Sequence, residues 1–381
     1  MGEESIVIGV VGAAASITSL IMQLVKKEQP PLDPANFYSE VQTLIYNCLA
    51  QGDYYADNLL KENFRGRDIY IPAVMLIKDE VQISKAICEK KDTHFVDKEL
   101  VAKLKNQGKI IYDNTTYRLV GISGNEISIG LSKYYQNLSN CDSFYYQLID
   151  IYQDYKNPDQ HVEKWLAQLD KLIVDKNFDD ISASIGCSTL FVMKTNDTYK
   201  YFIVDNSDKK NDVFSKHVTP AFMFQPLKNS SKEELIQQLD VKQQMMREFG
   251  EELLNMTEVE DSHMYTSQQR KLAAHPVLSK INACLDTGKA TFKTLGISLD
   301  VFRFRPEILS VLIIEDDEFS NLFYDNVALN WECARIKDYD LFDTEQYLEL
   351  LNDTKHPLVS PGAACLKLGR DYALTKLGAK I

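Results

Sequence analysis

The chain has 381 residues, 45% hydrophobic and 25% charged, the balance of a globular protein rather than a disordered one. A formal net charge of −13 excludes a general nucleic-acid binder, since neutralising phosphates needs clustered Lys and Arg; a small anionic substrate stays open. Seven dispersed cysteines (Cys48, Cys88, Cys141, Cys187, Cys284, Cys333, Cys365), none at zinc or redox spacing, fit reduced thiols in a cytosol-like compartment.

The first element is Ile6 to Val25, twenty residues without a charge. That length just spans a bilayer core of roughly 30 Å. Glu3 and Glu4 precede it and Lys26 and Lys27 follow it. The positive-inside rule therefore predicts a single-pass inner-membrane anchor with the soluble remainder cytoplasmic. Gly9/Ala13 and Gly12/Ser16 allow close helix–helix approach, and with it a homo-oligomer. The Ala, Ser, Thr and Gln content equally suits a buried helix of a protein that is cytoplasmic throughout. The acidic flank argues against a secretory signal.

Gln29-Pro30-Pro31-Leu32-Asp33-Pro34 is a rigid spacer. It divides a hydrophobic helix (1–28) from a helical and mixed extension (29–105), with the main domain expected over 106–381. Asn36 to Glu62 has helical spacing, Asp68 to Ile77 reads as a strand, and Glu80–Glu89 and Asp97–Gln107 read as helices. Ile110 to Val120 and Glu126 to Leu131 form an antiparallel pair around Ser123-Gly124-Asn125. Residues 133–185 read as mostly helical. Thr189–Thr195 and Tyr199–Val204 make a hairpin, followed by a polar loop and the stretch Val218–Gln225.

Lys232 through Met256 contains no proline and has helical spacing, so it reads as one helix. Within it Glu248, Glu251 and Glu252 fall at i, i+3 and i+4, on one face that is expected to be exposed. Like charges four apart cost a helix roughly 0.2–0.5 kcal/mol, so this grouping asks for a compensating partner. A divalent cation is one, because hard oxygen ligands suit magnesium or manganese. A solvated acidic face is the bland alternative in so acidic a chain.

Downstream, Ile297 to Phe304 alternates as a strand and puts Arg303 and Arg305 two apart, candidates for gripping phosphate. Glu307, Glu332, His217 and His263 lie in the flanking segments as candidate proton-transfer groups. No phosphate-cradling glycine loop, Gly-x-Ser-x-Gly elbow or histidine pair at metal spacing is present.

Arg247-Glu248-Phe249-Gly250-Glu251-Glu252 resembles the core of the Nudix signature, Arg-Glu-apolar-any-Glu-Glu, and the order strand, strand, loop, acidic helix resembles the layout of divergent bacterial Nudix-like domains of regulatory or defence type. The family's upstream Glu and Gly fall on Leu239 and Glu233, and its following Gly-apolar pair on Leu254 and Asn255. The metal-binding half is thus present and the substrate-facing loop half is not.

The resemblance implies an α/β fold, a Nudix-like α/β/α sandwich with a mixed sheet. It also implies hydrolysis of a nucleoside diphosphate linked to another moiety. Glu248, Glu251 and Glu252 would hold magnesium or manganese, Glu251 and Glu252 would serve catalysis, and Arg247 would orient the glutamates. Arg303 and Arg305 would bind the nucleotide-type substrate. The incomplete signature leaves two other readings: a non-catalytic nucleotide sensor, and a membrane-associated defence effector.

Overall fold

The computed structural model describes residues 57–109, 111–147, 167–196, 198–206, 215–258, 265–330 and 333–378. The expected membrane span at 6–25, the spacer and most of the helix expected over 36–62 lie outside the described residues, as do His263 and Glu332. Among the described residues no helix is long and apolar enough to cross a membrane.

The first part of the chain supplies β1 (Leu59–Phe64), β2 (Arg67–Ile77), β3 (Gln82–Ile87), α1 (Lys98–Asn106), β4 (Thr115–Ser123), β5 (Glu126–Lys133) and α2 (Tyr134–Asn137). The middle supplies β6 (Gly186–Thr195), β7 (Thr198–Asp205), β8 (Lys216–Val218), β9 (Ala221–Met223), α3 (Lys232–Gln237), α4 (Val241–Leu253), α5 (Tyr265–Ala274) and α6 (Pro276–Asp286). The last part supplies β10 (Ala290–Asp300), β11 (Arg305–Ile314), α7 (Phe319–Asn326), β12 (Arg335–Asp340), α8 (Thr344–Leu351) and α9 (Ser360–Lys376).

Nine strands form one mixed sheet in the order β1-β2-β10-β11-β6-β7-β12, with β8 on β7 and β9 on β6; β3-β5-β4 form a second. The β11–β6 pair is parallel, Glu307 opposite Gly186, while the other pairs of the large sheet are antiparallel. The fold is mixed α/β. Central strands are apolar on both sides, as Leu309, Val311 and Ile313 alternate with Ile308, Leu312 and Ile314, so both faces need helical cover.

α9 covers one face, its Ala363, Ala364, Cys365, Leu366 and Ala373 packing on Leu190, Val192, Leu309 and Val311. On the other, Phe191, Met193 and Leu312 meet Met245, Phe249 and Leu253 of α4, Leu278 of α6 and Phe323 of α7. β4 stitches the sheets together: Leu119 N–H donates to the Ala183 carbonyl (2.9 Å) and Ile185 N–H to that of Tyr117 (2.9 Å). β2 and β3, both before the boundary expected at residue 105, pair with β10 and β5 beyond it.

Several elements differ from the expectations. The helix expected at 80–89 is strand β3, because its spaced Val81, Ile83 and Ile87 pack on the core while its backbone joins β5 in parallel. Residues 59–62, at the end of the helix expected over 36–62, belong to β1. Helix does not extend through 174–185 either, and residues 148–166 are not among those described.

The strand expected through Phe304 stops at Asp300. Its carboxylate accepts from Phe302 N–H (2.9 Å) and its carbonyl from Phe304 N–H (2.8 Å), closing a turn in which Phe304 takes φ +50°. Gly296 marks a register shift in β10; at φ +148° a Cβ would fall 2.2 Å from the Ile77 carbonyl oxygen, so only glycine fits.

The helix expected over 232–256 is two helices. Ser231 and Glu234 form a capping box at α3, and Asp240 starts α4 by accepting from Gln243 N–H at 3.0 Å. Gln244 Nε2 donates to the Gln238 carbonyl in the break at 2.8 Å. Asp240→Ala is expected to lower stability by about 1 kcal/mol, read as a reduced urea midpoint at unchanged slope.

Candidate functional site

α4 carries the acidic residues, and the structure sets them in different environments. Arg247, Glu251 and Glu252 are each less than a tenth exposed, so this face is buried rather than exposed as expected. Buried carboxylates require partners. Arg247 Nη2 donates to Glu248 at 2.7 Å, and its Nε lies 4.0 Å from Glu251. Burial works against the charged guanidinium, but Glu248, Glu251 and Glu258 outweigh it and hold Arg247 above its ordinary pKa.

Arg247, Glu248, Glu251 and Glu258 line one cavity of about 30 Å³ together with Asn114, Thr115, Gln225 and Lys228. That is room for a water-sized guest or two.

Glu252 does not join them. Thr219 Oγ1 donates to its Oε2 at 2.9 Å, and Ala221 N–H to its Oε1 at 3.3 Å. It thereby ties α4 to the β8–β9 segment. The position of the motif in the fold has clear local causes. Phe249 is fully buried among the aromatic rings beneath α4. A Cβ on Gly250 would lie 3.3 Å from Leu272 and Leu278, so the glycine lets α4 approach α5 and α6. Beyond the helix, Asn255 takes φ +49°, and Met256 N–H returns to the Gly250 carbonyl at 3.0 Å.

Three carboxylates around one cavity form a hard donor set whose chemistry suits magnesium or manganese. As they stand, however, no three His, Cys, Asp or Glu side chains among the described residues are grouped to hold a metal ion. The compensating charge visible here is Arg247. The sequence-derived set is therefore split: Arg247, Glu248 and Glu251 come together, while Glu252 does not line their cavity.

The arginines are also elsewhere. Arg303 lies in the turn after β10, over the Tyr145 ring at 4.5 Å and 3.7 Å from Asp300. Arg305 opens β11, so the two do not share a strand face, and neither lines the cavity. His217 Nδ1 contacts the Val218 carbonyl oxygen at 2.9 Å, away from the cavity lining.

Glu307 is 3% exposed and accepts from Ser188 Oγ at 2.6 Å. It alternates in register with Leu309 and Val311, which face α9, and does not line the cavity. Burial pushes its pKa up to about 7, with Asp300 adding to the rise and Arg305 and Ser188 opposing it.

Glu258, Lys228 and Asn114–Thr115 escaped sequence reasoning. Glu258 falls outside the helical spacing of the motif, and Asn114–Thr115 come from a strand start more than a hundred residues upstream, so no local pattern joins them.

No family model matches the chain, and no curated protein matches it. Among solved structures it is similar to the crystal structure of a bifunctional NMN adenylyltransferase/ADP ribose pyrophosphatase from Francisella tularensis, at 9% identity and a TM-score of 0.26, over 95% of this chain and 83% of that one. A likeness of that size carries no argument about fold or chemistry.

Proposed function

We propose that the chain is a Nudix-type hydrolase acting on a nucleoside diphosphate linked to another moiety. What supports this reading is the convergence of Arg247, Glu248 and Glu251 on one cavity with Glu258 at its edge. Buried charge gathered around a cleft suits a chemical role.

Glu248, Glu251 and Glu258 would hold magnesium or manganese, which when bound would polarise a phosphate oxygen and acidify a water. Arg247 positions Glu248 through its charge-assisted bond and stands 4.0 Å from Glu251. Glu252, bonded to Thr219 and Ala221, fixes the rotation of α4 rather than meeting substrate. Arg303 and Arg305 have no place in this cavity and are left out of the mechanism.

The test is release of phosphomonoester products from a panel of nucleoside diphosphate derivatives with magnesium. Glu251→Gln is expected to lower turnover about a hundredfold or more with the protein still folded. Equal rates in wild type and Glu251→Gln would remove the assignment.

One observation favours a second reading, a non-catalytic nucleotide sensor. Glu252 is committed to Thr219 and Ala221, and among the described residues no three-carboxylate group stands ready for an ion. Nucleotide binding without metal and without product would select it.

A further inference from the structure

Beside the carboxylate cavity lies a larger cleft of about 500 Å³, within the roughly 300–1,000 Å³ usual for small-molecule sites. It opens between the segment after β3, the β5–α2 junction and α3. Thr115 lines both spaces, so they adjoin.

The charged residues lining this cleft are Lys90, Lys91, Lys133 and Lys232 against Glu89 and Asp92. Lys232 is taken by Glu89 and Lys90 by Asp179, each at 2.5 Å. Among the described residues the Lys133 ammonium bonds only the neutral Thr115 hydroxyl, at 2.9 Å. Lys91 makes no hydrogen bond or ion pair among the described residues.

Asp92 does not offset these two ammonium groups. Its carboxylate accepts from Ser182 Oγ (2.5 Å) and His94 N–H (2.9 Å), and the fully buried Arg118 guanidinium stands 3.9 Å behind it. Arg118 is held between Asp92 and Asp179, whose Oδ1 lies 3.4 Å from its Nη2, so both carboxylates are engaged behind the cleft. In a chain of net charge −13, the cleft is a local excess of positive charge. Ile87, Leu131 and Leu235 give it an apolar wall as well.

An inorganic anion would use the lysines and leave the wall bare. A ligand carrying both a phosphate chain and a flat apolar ring would use both.

We infer that the lysine-lined cleft is the subsite for the nucleotide portion of the ligand, with Lys91 and Lys133 on its phosphates and Thr115 at the junction with the Glu248/Glu251 cavity. The word substrate rests on the hydrolase reading above; the binding site does not.

The experiment is calorimetric titration of ADP, and of pyrophosphate beside it, into the full-length chain in the presence of a chelator. Lys91→Glu/Lys133→Glu, at two exposed positions, is expected to weaken ADP at least about tenfold, because two charge-assisted contacts become repulsions. Pyrophosphate is expected to bind more weakly than ADP. No ADP binding by the wild type, equal affinity in the lysine variant, or pyrophosphate binding as tightly as ADP would overturn the subsite.

The two readings separate cleanly. ADP binding that needs the lysines, with no derivative hydrolysed, leaves the subsite standing and removes the hydrolase. Turnover that needs Glu251, with KM and ADP affinity unchanged in the lysine variant, does the reverse.

Discussion

Phe191→Ala is expected to destabilise the protein by about 3–5 kcal/mol, the range for deleting a buried aromatic ring. Phe191 is fully buried in the middle of β6. Its ring stacks on Phe202 at 5.0 Å and meets Phe249 at 5.1 Å, Phe323 at 5.2 Å and Phe319 at 6.3 Å. Edge-to-face and stacked pairs each add about 0.5–1.5 kcal/mol beyond area burial, and these share one ring, so the loss is not a simple sum.

The consequence reaches α4. Phe249 lies between Glu248 and Gly250, so the cavity below Phe191 would loosen the helix that positions the carboxylates. Denaturant unfolding of Phe191→Ala beside Phe191→Leu checks this. Leucine should recover a substantial part of the loss, and a deficit below about 1 kcal/mol for alanine would contradict the packing.

The features readable in advance were those with short-range causes. The β6–β7 hairpin, the alternation within β10 and the helix over 97–107 follow from periodicity over a few residues. β3 was not readable, because its backbone is satisfied by β5 some forty residues later, and a lone amphipathic stretch can take either period. The break between α3 and α4 could have been read from Ser231 and Asp240, each a good N-cap, but the absence of proline pointed the other way.

At the candidate site, spacing grouped Glu248 with Glu251, which line one cavity, and also with Glu252, which does not line it. It had no means of knowing that Thr219 and Ala221 would claim that third carboxylate. Arg303 and Arg305 were placed on one strand face, whereas the Asp300 turn puts Arg303 between the strands and Arg305 at the start of β11.

Stability is expected to fall with rising pH through the titration of Glu307. Burial raises the folded-state pKa from 4.5 to about 7. Below the unfolded-state pKa both states are protonated and the group contributes nothing. Between the two values the unfolded chain gives up its proton first, so unfolding gains. Above about pH 7 the full penalty is present. A shift of this size corresponds to about 3 kcal/mol.

The origin is local. Glu307 Oε2 has no hydrogen-bond partner among the described residues, and Gly186 leaves it space that any Cβ would fill, at 1.9 Å. Glu307→Gln keeps the shape and abolishes the ionisation. Denaturation at pH 5 and pH 8 should show the wild type losing about 2.5 kcal/mol more than the variant across that interval. Parallel pH profiles would mean that Glu307 titrates as an ordinary carboxylate.

The cover of the sheet by α9 has a bearing on how the chain is made. β2, β10, β11 and β6 all present apolar side chains to a helix that follows every one of them in sequence. Ser360 leaves the ribosome roughly 280 residues after Ile77, which at about 5–20 residues per second is a delay of about 15–60 s. For that interval the α9 face of the early strands is without its lid. The nascent chain is therefore expected to expose that apolar face until α9 emerges, and a nonsense codon ahead of Ser360 would leave it bare.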